Sequence, residues 1–158
     1  MASTFSTSLK LELQATGENA GTWGDKTNTN LQLVEQAVAG YEEVSIAGGA
    51  GTTALAMSDG SASNARNMVI KLTGTITGNR IVTVPDSMEK VYIVSNGTSG
   101  AHTVQFKTAS GTGYTFVAAD KSVRVLFADG TNVVDTGIIN TSSTDTLTNK
   151  TLTTPTIN

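Results

Sequence analysis

Apolar residues in the second half of the chain recur with the period of two that is typical of β-strands. After Asn67, short runs rich in valine, isoleucine, threonine and aromatic residues follow one another, and turn signals rich in glycine, asparagine and aspartate separate them. Another strand is predicted at 52–57, behind a glycine-rich loop. The pattern predicts a mainly β protein, with an antiparallel β-sandwich or jelly-roll-like domain over residues 46–139. The predicted strands lie in MVIKLTG, RIVTV, KVYIVSNG, HTVQFKT, YTFVA, KSVRVLFADG and NVVDTGI.

The segment KSVRVLFADG shows the alternation most clearly. It places Val123, Val125 and Phe127 on one face of a strand and puts Leu126 on the otherwise polar opposite face. We therefore expect the second face to be covered as well, by a neighbouring subunit. The Asp-Gly pair that ends the segment favours the backbone angles of a tight turn and predicts a β-hairpin.

A helical period replaces the strand period near the N-terminus. Thr22 and Asp25 form a capping-box-like start, and Gly40 is a plausible end. Between them, apolar residues recur every three or four positions, and Leu33 and Ala37 widen the face that they form. This face either packs on its own domain or forms a seam between identical helices of an oligomer. The residues of the face are Trp23, Leu31, Val34, Val38 and, beyond the glycine, Tyr41, and the polar Thr27 takes the position between Trp23 and Leu31.

The first residues alternate with a period of two. Leu9, Leu11 and Leu13 point to one side of a strand or extended arm over Phe5–Leu13, so this arm needs a pairing partner in the same chain or in another subunit. Together with the helix it forms an N-terminal unit, residues 1–45, which is interpreted as an oligomerisation segment.

The C-terminal residues 140–158 carry no such alternation. The stretch TLTNKTLTTPTI is dominated by threonine, and Leu147 and Leu152 are isolated among polar residues. A single copy buries too little apolar surface to offset the entropy of ordering it. Three copies would stack these leucines around a common axis, which predicts an extended linker to a shaft.

Composition and charge argue against several classes of function. The net charge is −3 and the basic residues are scattered, which argues against nucleic-acid binding. The chain has no cysteine, so disulfides and thiolate metal sites are excluded. The N-terminus lacks the pattern of a signal peptide or membrane span, and we expect a protein made in the cytosol without membrane contact.

No group of residues matches a catalytic, metal or cofactor site. His102 is the single histidine, and the nucleophile turns and paired acids of hydrolases are missing. The neighbours Glu42 and Glu43 would point to opposite faces of a strand. We therefore predict a protein that is not an enzyme and needs no cofactor. One alternative is a carbohydrate-binding module, which would use Tyr92, Phe106 and Tyr114.

Two segments resemble tail-fibre and related structural proteins of tailed bacteriophages, notably those of marine bacteria and cyanobacteria. The segment LQATGENAGTWGDKTNTNLQLVEQAVAGY is similar to the opening of these proteins, and VYIVSNGTSGAHTVQF with the strands after it is similar to their β region. The terminal DTLTNKTLTTPTI resembles their repeated linker.

The resemblance implies a virion protein on the phage tail. It implies a homotrimer whose N-terminal part docks on tail, baseplate or adaptor proteins, and a chain ending at the linker would be a short fibre or collar component. The alternative is a capsid decoration or head-fibre protein, which would have the same composition and a different place on the virion. The residues expected to make these contacts lie in the arm, the helix and the tail. They are Leu9, Leu11, Leu13, Trp23, Leu31, Val34, Val38, Leu147 and Leu152.

Overall fold

The computed structural model describes residues 2–138, and these form a mainly β protein with one α-helix. The helix and the strands predicted after residue 50 are confirmed within a few residues, whereas β3 was not predicted. In chain order the elements are β1 (Thr4–Phe5), β2 (Glu12–Leu13), α1 (Trp23–Ala39), β3 (Tyr41–Ser45), β4 (Gly51–Ala54), a short 3-10 helix (Asn64–Arg66), β5 (Val69–Thr75), β6 (Arg80–Val84), β7 (Glu89–Ser99), β8 (Val104–Thr108), β9 (Gly113–Phe116), β10 (Val123–Asp129) and β11 (Val133–Asp135).

From β3 to β8 the chain alternates between two sheets, and all strand pairs among these six strands are parallel. One sheet has the order β11-β10-β7-β5-β3 and the other the order β4-β6-β8-β9. Strands β3, β5 and β7 pair in parallel, as do β4, β6 and β8. The chain thus winds through three stacked coils. The prediction of an antiparallel sandwich or jelly roll is wrong for these coils, because each strand pairs with one a whole coil away rather than with its sequence neighbour.

Within these two sheets, antiparallel pairing is confined to the last strands, which close one end of the coils. Strand β9 pairs with β8, and β10 pairs with β7 and with β11. The two sheets meet at this end, where the Val133 amide donates to the Thr112 carbonyl (2.9 Å). The predicted hairpin after β10 is confirmed. The Asp129 carboxylate accepts from the amides of Thr131 and Asn132 (2.8 and 2.6 Å), and Gly130 takes the positive φ of 90°.

One apolar core fills the space between the sheets. It receives alternate residues from both, including Ile70, Tyr92, Phe106 and Leu126, each with no exposed surface. Leu126 is thus covered by the second sheet of its own chain, and the expectation of a covering subunit on that face is wrong. The outward side of β10 holds Phe127, which is 39% exposed.

The turns between the coils stack as closely as the strands. A Cβ on Gly78 would lie 2.3 Å from the Ala50 amide nitrogen, and one on Gly100 would lie 2.2 Å from the Ile76 carbonyl oxygen. Glycine is needed here because successive turns contact each other through their backbones.

Helix α1 begins and ends at the predicted residues, but the contacts at its ends differ from the predicted ones. Thr22 makes no capping hydrogen bond, and its hydroxyl donates instead to the Asn19 carbonyl (3.3 Å). Gly40 ends the helix in an extended conformation (φ −72°, ψ 142°), and a Cβ there would lie 2.2 Å from the Gln36 carbonyl oxygen. The chain then enters β3, so Tyr41 belongs to a strand and not to the helical face. The boundary drawn after residue 45 separates β3 from the sheet in which it pairs.

Candidate assembly surface

Helix α1 presents two adjacent faces with opposite environments. Lys26, Asn30, Leu33 and Ala37 form one row along the helix, of which Leu33 and Ala37 are buried. The neighbouring row is apolar and faces outward in the single chain. Its exposed fractions are 65% for Trp23, 62% for Leu31, 37% for Val34 and 63% for Val38. We call these four residues the helix stripe.

The N-terminal arm is a small hairpin and not the single strand predicted over Phe5–Leu13. Strands β1 and β2 pair antiparallel, with Thr4 opposite Leu13. The chain reverses between them, because the Ser6 amide donates to the Leu11 carbonyl (2.8 Å) and Lys10 takes a positive φ of 54°. The period of two therefore marks two short strands and a turn.

A buried arginine anchors this hairpin to the β region. Arg66 has no exposed surface, and its Nε and Nη2 donate to the Leu9 carbonyl at 3.1 and 3.0 Å. The same guanidinium donates to the carbonyls of Ser58 (2.7 Å) and Ser61. Several donors in a rigid fork suit it to join three backbone segments at one point.

Asn30 fixes the arm to the helix by an equivalent device. Its side-chain amide accepts from the Glu12 amide (2.9 Å) and donates to the Glu12 carbonyl (2.8 Å), as a neighbouring strand would. The Glu12 carboxylate also pairs with Lys26 at 3.0 Å. The hydrogen bond from Lys26 is the largest of the effects that lower the pKa of Glu12 below its ordinary value.

The sequence-predicted contact residues divide into three groups. The four residues of the helix stripe lie together on one exposed face. In the arm, Leu9 and Leu11 are half-buried and Leu13 is 53% exposed, so the three leucines do not share one environment. Leu147 and Leu152, and the linker predicted at 140–158, lie outside the described residues.

The sugar-binding surface predicted from aromatic residues is not formed. Tyr92 and Phe106 have no exposed surface and contact each other edge to face, with centroids 5.5 Å apart. Their rings cannot stack on a sugar. The half-buried Tyr114 donates from its hydroxyl to the Asp120 carboxylate (2.9 Å), and burial is the largest effect that raises the pKa of Tyr114 to about 12.

The acidic residues serve the fold. Glu42 and Glu43 lie on opposite faces of β3, and Glu43 forms an ion pair with Lys71 at 2.7 Å. Within residues 2–138, three or more histidine, aspartate or glutamate side chains nowhere cluster as metal ligands would. The helix in this part of the chain is not long and apolar enough to cross a membrane.

Sequence reasoning missed the residues that position the helix stripe. Arg66 stands alone in a polar loop sequence, and no pattern marks it as buried. Asn30 left a weak signal, because it falls on the same helical row as Leu33 and Ala37. A polar residue on a buried row indicates a specific partner.

Comparison with models of protein families, with curated proteins and with solved structures found no match for this chain.

Proposed function

We propose that this chain is a non-enzymatic structural module of a virion, of the tail-fibre type, which forms a homotrimer and docks on other tail, baseplate or adaptor proteins. The observation that carries the assembly role is the helix stripe, four large apolar side chains turned outward on one face. The virion assignment is supported by the resemblance of residues 13–41 and 91–137 to tail-fibre proteins.

The energetics favour a covered stripe. Each large apolar side chain contributes about 1.5–3 kcal/mol when it is transferred from water to a packed interface. The contacts that hold α1 in place come from the other row, through Asn30, Leu33 and Ala37. The stripe is therefore available to a partner without any rearrangement of the fold.

Light scattering coupled to size exclusion tests the trimer. The expected mass is about 49 kDa, three times the 16.3 kDa of one chain. The double substitution Leu31→Lys with Val38→Lys should reduce this mass toward that of one chain, because it places charges in the interface. The matched control is Gln32→Lys with Ala39→Lys, which adds the same charges to exposed positions on the other side of the helix.

The single tryptophan gives a second readout. Trp23 lies on the helix stripe, so its fluorescence should shift to shorter wavelength on assembly and return toward the solvent-exposed value on dilution. A one-chain mass with an exposed tryptophan at all concentrations would refute the proposed assembly.

A further inference from the structure

A lysine is buried in the β region without a carboxylate beside its amine. Lys90 is 7% exposed, and its amine donates to the backbone carbonyls of Asn67 and Val91, both at 3.1 Å. It also lies 4.4 Å from the centre of the Tyr92 ring. None of the ion pairs formed within residues 2–138 involves Lys90. A buried charge with neutral neighbours is costly, so this position favours the neutral, nucleophilic form of the amine, and burial lowers the pKa of Lys90 to about 8.

The side-chain carboxamide of Asn67 lies near this amine. Asn67 is 3% exposed, and its Cγ is no more than about 4.5 Å from the backbone oxygen that accepts from Lys90, because both atoms belong to one residue. A small shift of the flexible lysine stem therefore brings the amine to Cγ. A Cβ on Gly40 would lie 2.3 Å from Asn67 Oδ1, so the carboxamide fills the space that this glycine leaves.

A carboxylate contacts the nitrogen of the same carboxamide. Asn67 Nδ2 donates to Glu42 Oε2 at 3.5 Å and to the Asn64 carbonyl at 3.2 Å. Glu42 is half-buried and lies opposite the core residue Ile70, so its side chain is on the inner face of the sheet. Amine, carboxamide and carboxylate thus come from β7, from the segment that leads into β5, and from β3, which are neighbours in one sheet.

We infer that Lys90 and Asn67 form an isopeptide bond within the chain, with Glu42 as the acid–base group. The Lys90 nitrogen forms a bond to Asn67 Cγ, the bond from Cγ to Nδ2 breaks, and ammonia leaves. Of the two protons on the neutral amine, one stays on the new amide and Glu42 transfers the other to Nδ2. Both nitrogens are bonded to Cγ in the intermediate, so a carboxyl group beside one of them is also beside the other. The exchange consumes no oxidant or reductant.

The bond gives the coils a covalent link that cysteine cannot supply, since the chain has none. A link between positions 67 and 90 closes a loop that contains β5 and β6, and it ties the second coil to the third. Unlike a disulfide, an amide is not opened by thiols. The inference concerns a single chain and goes beyond the proposed assembly.

The intact mass of the full chain tests this reaction. Because the nucleophile is the neutral amine, protein purified at pH 7 should lose the mass of one ammonia molecule, and the loss should be faster at pH 9 than at pH 7. After trypsin digestion, residues 67–71 should be joined to residues 81–107, because trypsin does not cleave after an acylated lysine. The pH dependence of a free Lys90 amine belongs to the unreacted chain.

Substitutions assign the roles of the three groups. Lys90→Met and Asn67→Ala should each keep the full mass. Glu42→Gln should slow the loss of ammonia about a hundredfold, as is typical when a general acid–base group is removed. The matched control is Glu43→Gln, which removes the same charge from the outward face of β3 and should leave the rate unchanged. Circular dichroism verifies that each variant is folded, and the mass of the unmodified chain decides the matter if one is not.

The outcomes separate this reaction from other losses of ammonia. A mass that is unchanged after days at pH 9 would overturn the inference. A loss of ammonia with residues 67–71 and 81–107 on separate peptides would also overturn it, because an asparagine can lose ammonia by cyclising onto the following backbone amide. Equal rates in Glu42→Gln and Glu43→Gln would overturn the role of Glu42. Joined peptides, with a slow reaction in Glu42→Gln alone, support the bond and its mechanism.

Discussion

The N-terminal residues 2–39 and the β region 40–138 are held by different kinds of contact. The β region is stabilised by an apolar cluster between two sheets, to which every coil contributes. In the N-terminal region Leu33 and Ala37 are the buried apolar residues. Hydrogen bonds join this region to the rest of the chain, from Arg66 to the Leu9 carbonyl, from the Ser63 amide to Gln36 and from the Gly60 amide to the Lys10 carbonyl. Apolar burial in the β region is distributed over many residues, whereas a few hydrogen bonds fix the position of the N-terminal region.

This difference explains how one chain can combine a stable β region with an N-terminal region whose position depends on a few contacts. Apolar burial is nondirectional, so the coils keep their structure when one surface contact is lost. Hydrogen bonds to specific carbonyls fix an orientation but contribute only about 1 kcal/mol each. The helix stripe is therefore held at a defined angle by contacts that single substitutions can remove.

The largest effect is expected in the β region. Phe106→Ala removes a fully buried ring that packs against Tyr92, and it should lower the free energy of unfolding by about 3–5 kcal/mol. Urea denaturation at fixed protein concentration measures it, because association would otherwise shift the apparent stability. Val117→Ala, at an exposed position, is the control with little expected change. An equally small effect for Phe106→Ala would mean that the core is not packed as described.

Arg66→Met should act on the N-terminal region. It leaves the carbonyls of Leu9, Ser58 and Ser61 without their donor, at a cost of about 2–3 kcal/mol. Hydrogen exchange should increase at Leu11 and Gly60, whose amides bond within the arm and to it. The amides of β7 and β10 should remain protected.

The control for Arg66 is a second arginine that bonds to backbone. Arg80 donates to the Gly49 carbonyl (2.9 Å) in the first coil, so Arg80→Met should loosen that turn and leave the arm protected. If Arg66→Met instead raised exchange throughout the sheets, the two regions would be one cooperative unit and the contrast between them would be wrong.

The buried Lys90 should make the free energy of unfolding of the β region depend on pH. Burial lowers the pKa of Lys90 to about 8 from an ordinary value of 10.5. Between pH 8 and 10 the unfolded chain holds a proton that the folded chain has released, so stability should rise by about 2 kcal/mol over this range. Below pH 8 both states are protonated, and this group gives no pH dependence.

Denaturation at pH 7, 8, 9 and 10 measures the rise. Lys90→Met should flatten it, because the buried ammonium, which donates to the Asn67 and Val91 carbonyls at 3.1 Å, is gone. Lys71→Met is the control, since the Lys71 side chain is 41% exposed and should leave the rise intact. A rise that persists in Lys90→Met would assign it to another group.

The positions of the strands from β4 onward could be predicted from the sequence, but their partners could not. Alternation and turn residues mark these strands locally, so β6, β8 and β10 fall close to the predicted segments. Pairing between Tyr41 and Val69, or between Val69 and Ile93, joins residues that no local turn signal connects. The recurring tight glycines at Gly78 and Gly100 are a signal of stacked turns, and they are also common in hairpins.

The candidate assembly surface could also be predicted only in part. Helical spacing identified Trp23, Leu31, Val34 and Val38 as one face, but it could not separate their row from the buried row of Leu33 and Ala37. That separation depends on where Arg66 and Asn30 hold the arm, which is a tertiary contact. The outward side of β10 could not be recognised, because Val125 and Phe127 have the pattern of core residues and which face of a strand is buried depends on the second sheet.

The smallest effect is expected at Asn30, whose side chain makes two hydrogen bonds with the backbone of Glu12. Asn30→Asp keeps the acceptor for the Glu12 amide and replaces the donor to the Glu12 carbonyl by a negative oxygen. The loss should be about 1 kcal/mol, with faster exchange of the Glu12 amide and no change in β7. Asn28→Asp, exposed on the same helix, adds the same charge without touching the arm and serves as the control. If both variants behaved alike, charge on α1 and not the Asn30 bridge would govern the arm, and the contacts of the arm with Arg66, Gly60 and Glu89 would set its orientation.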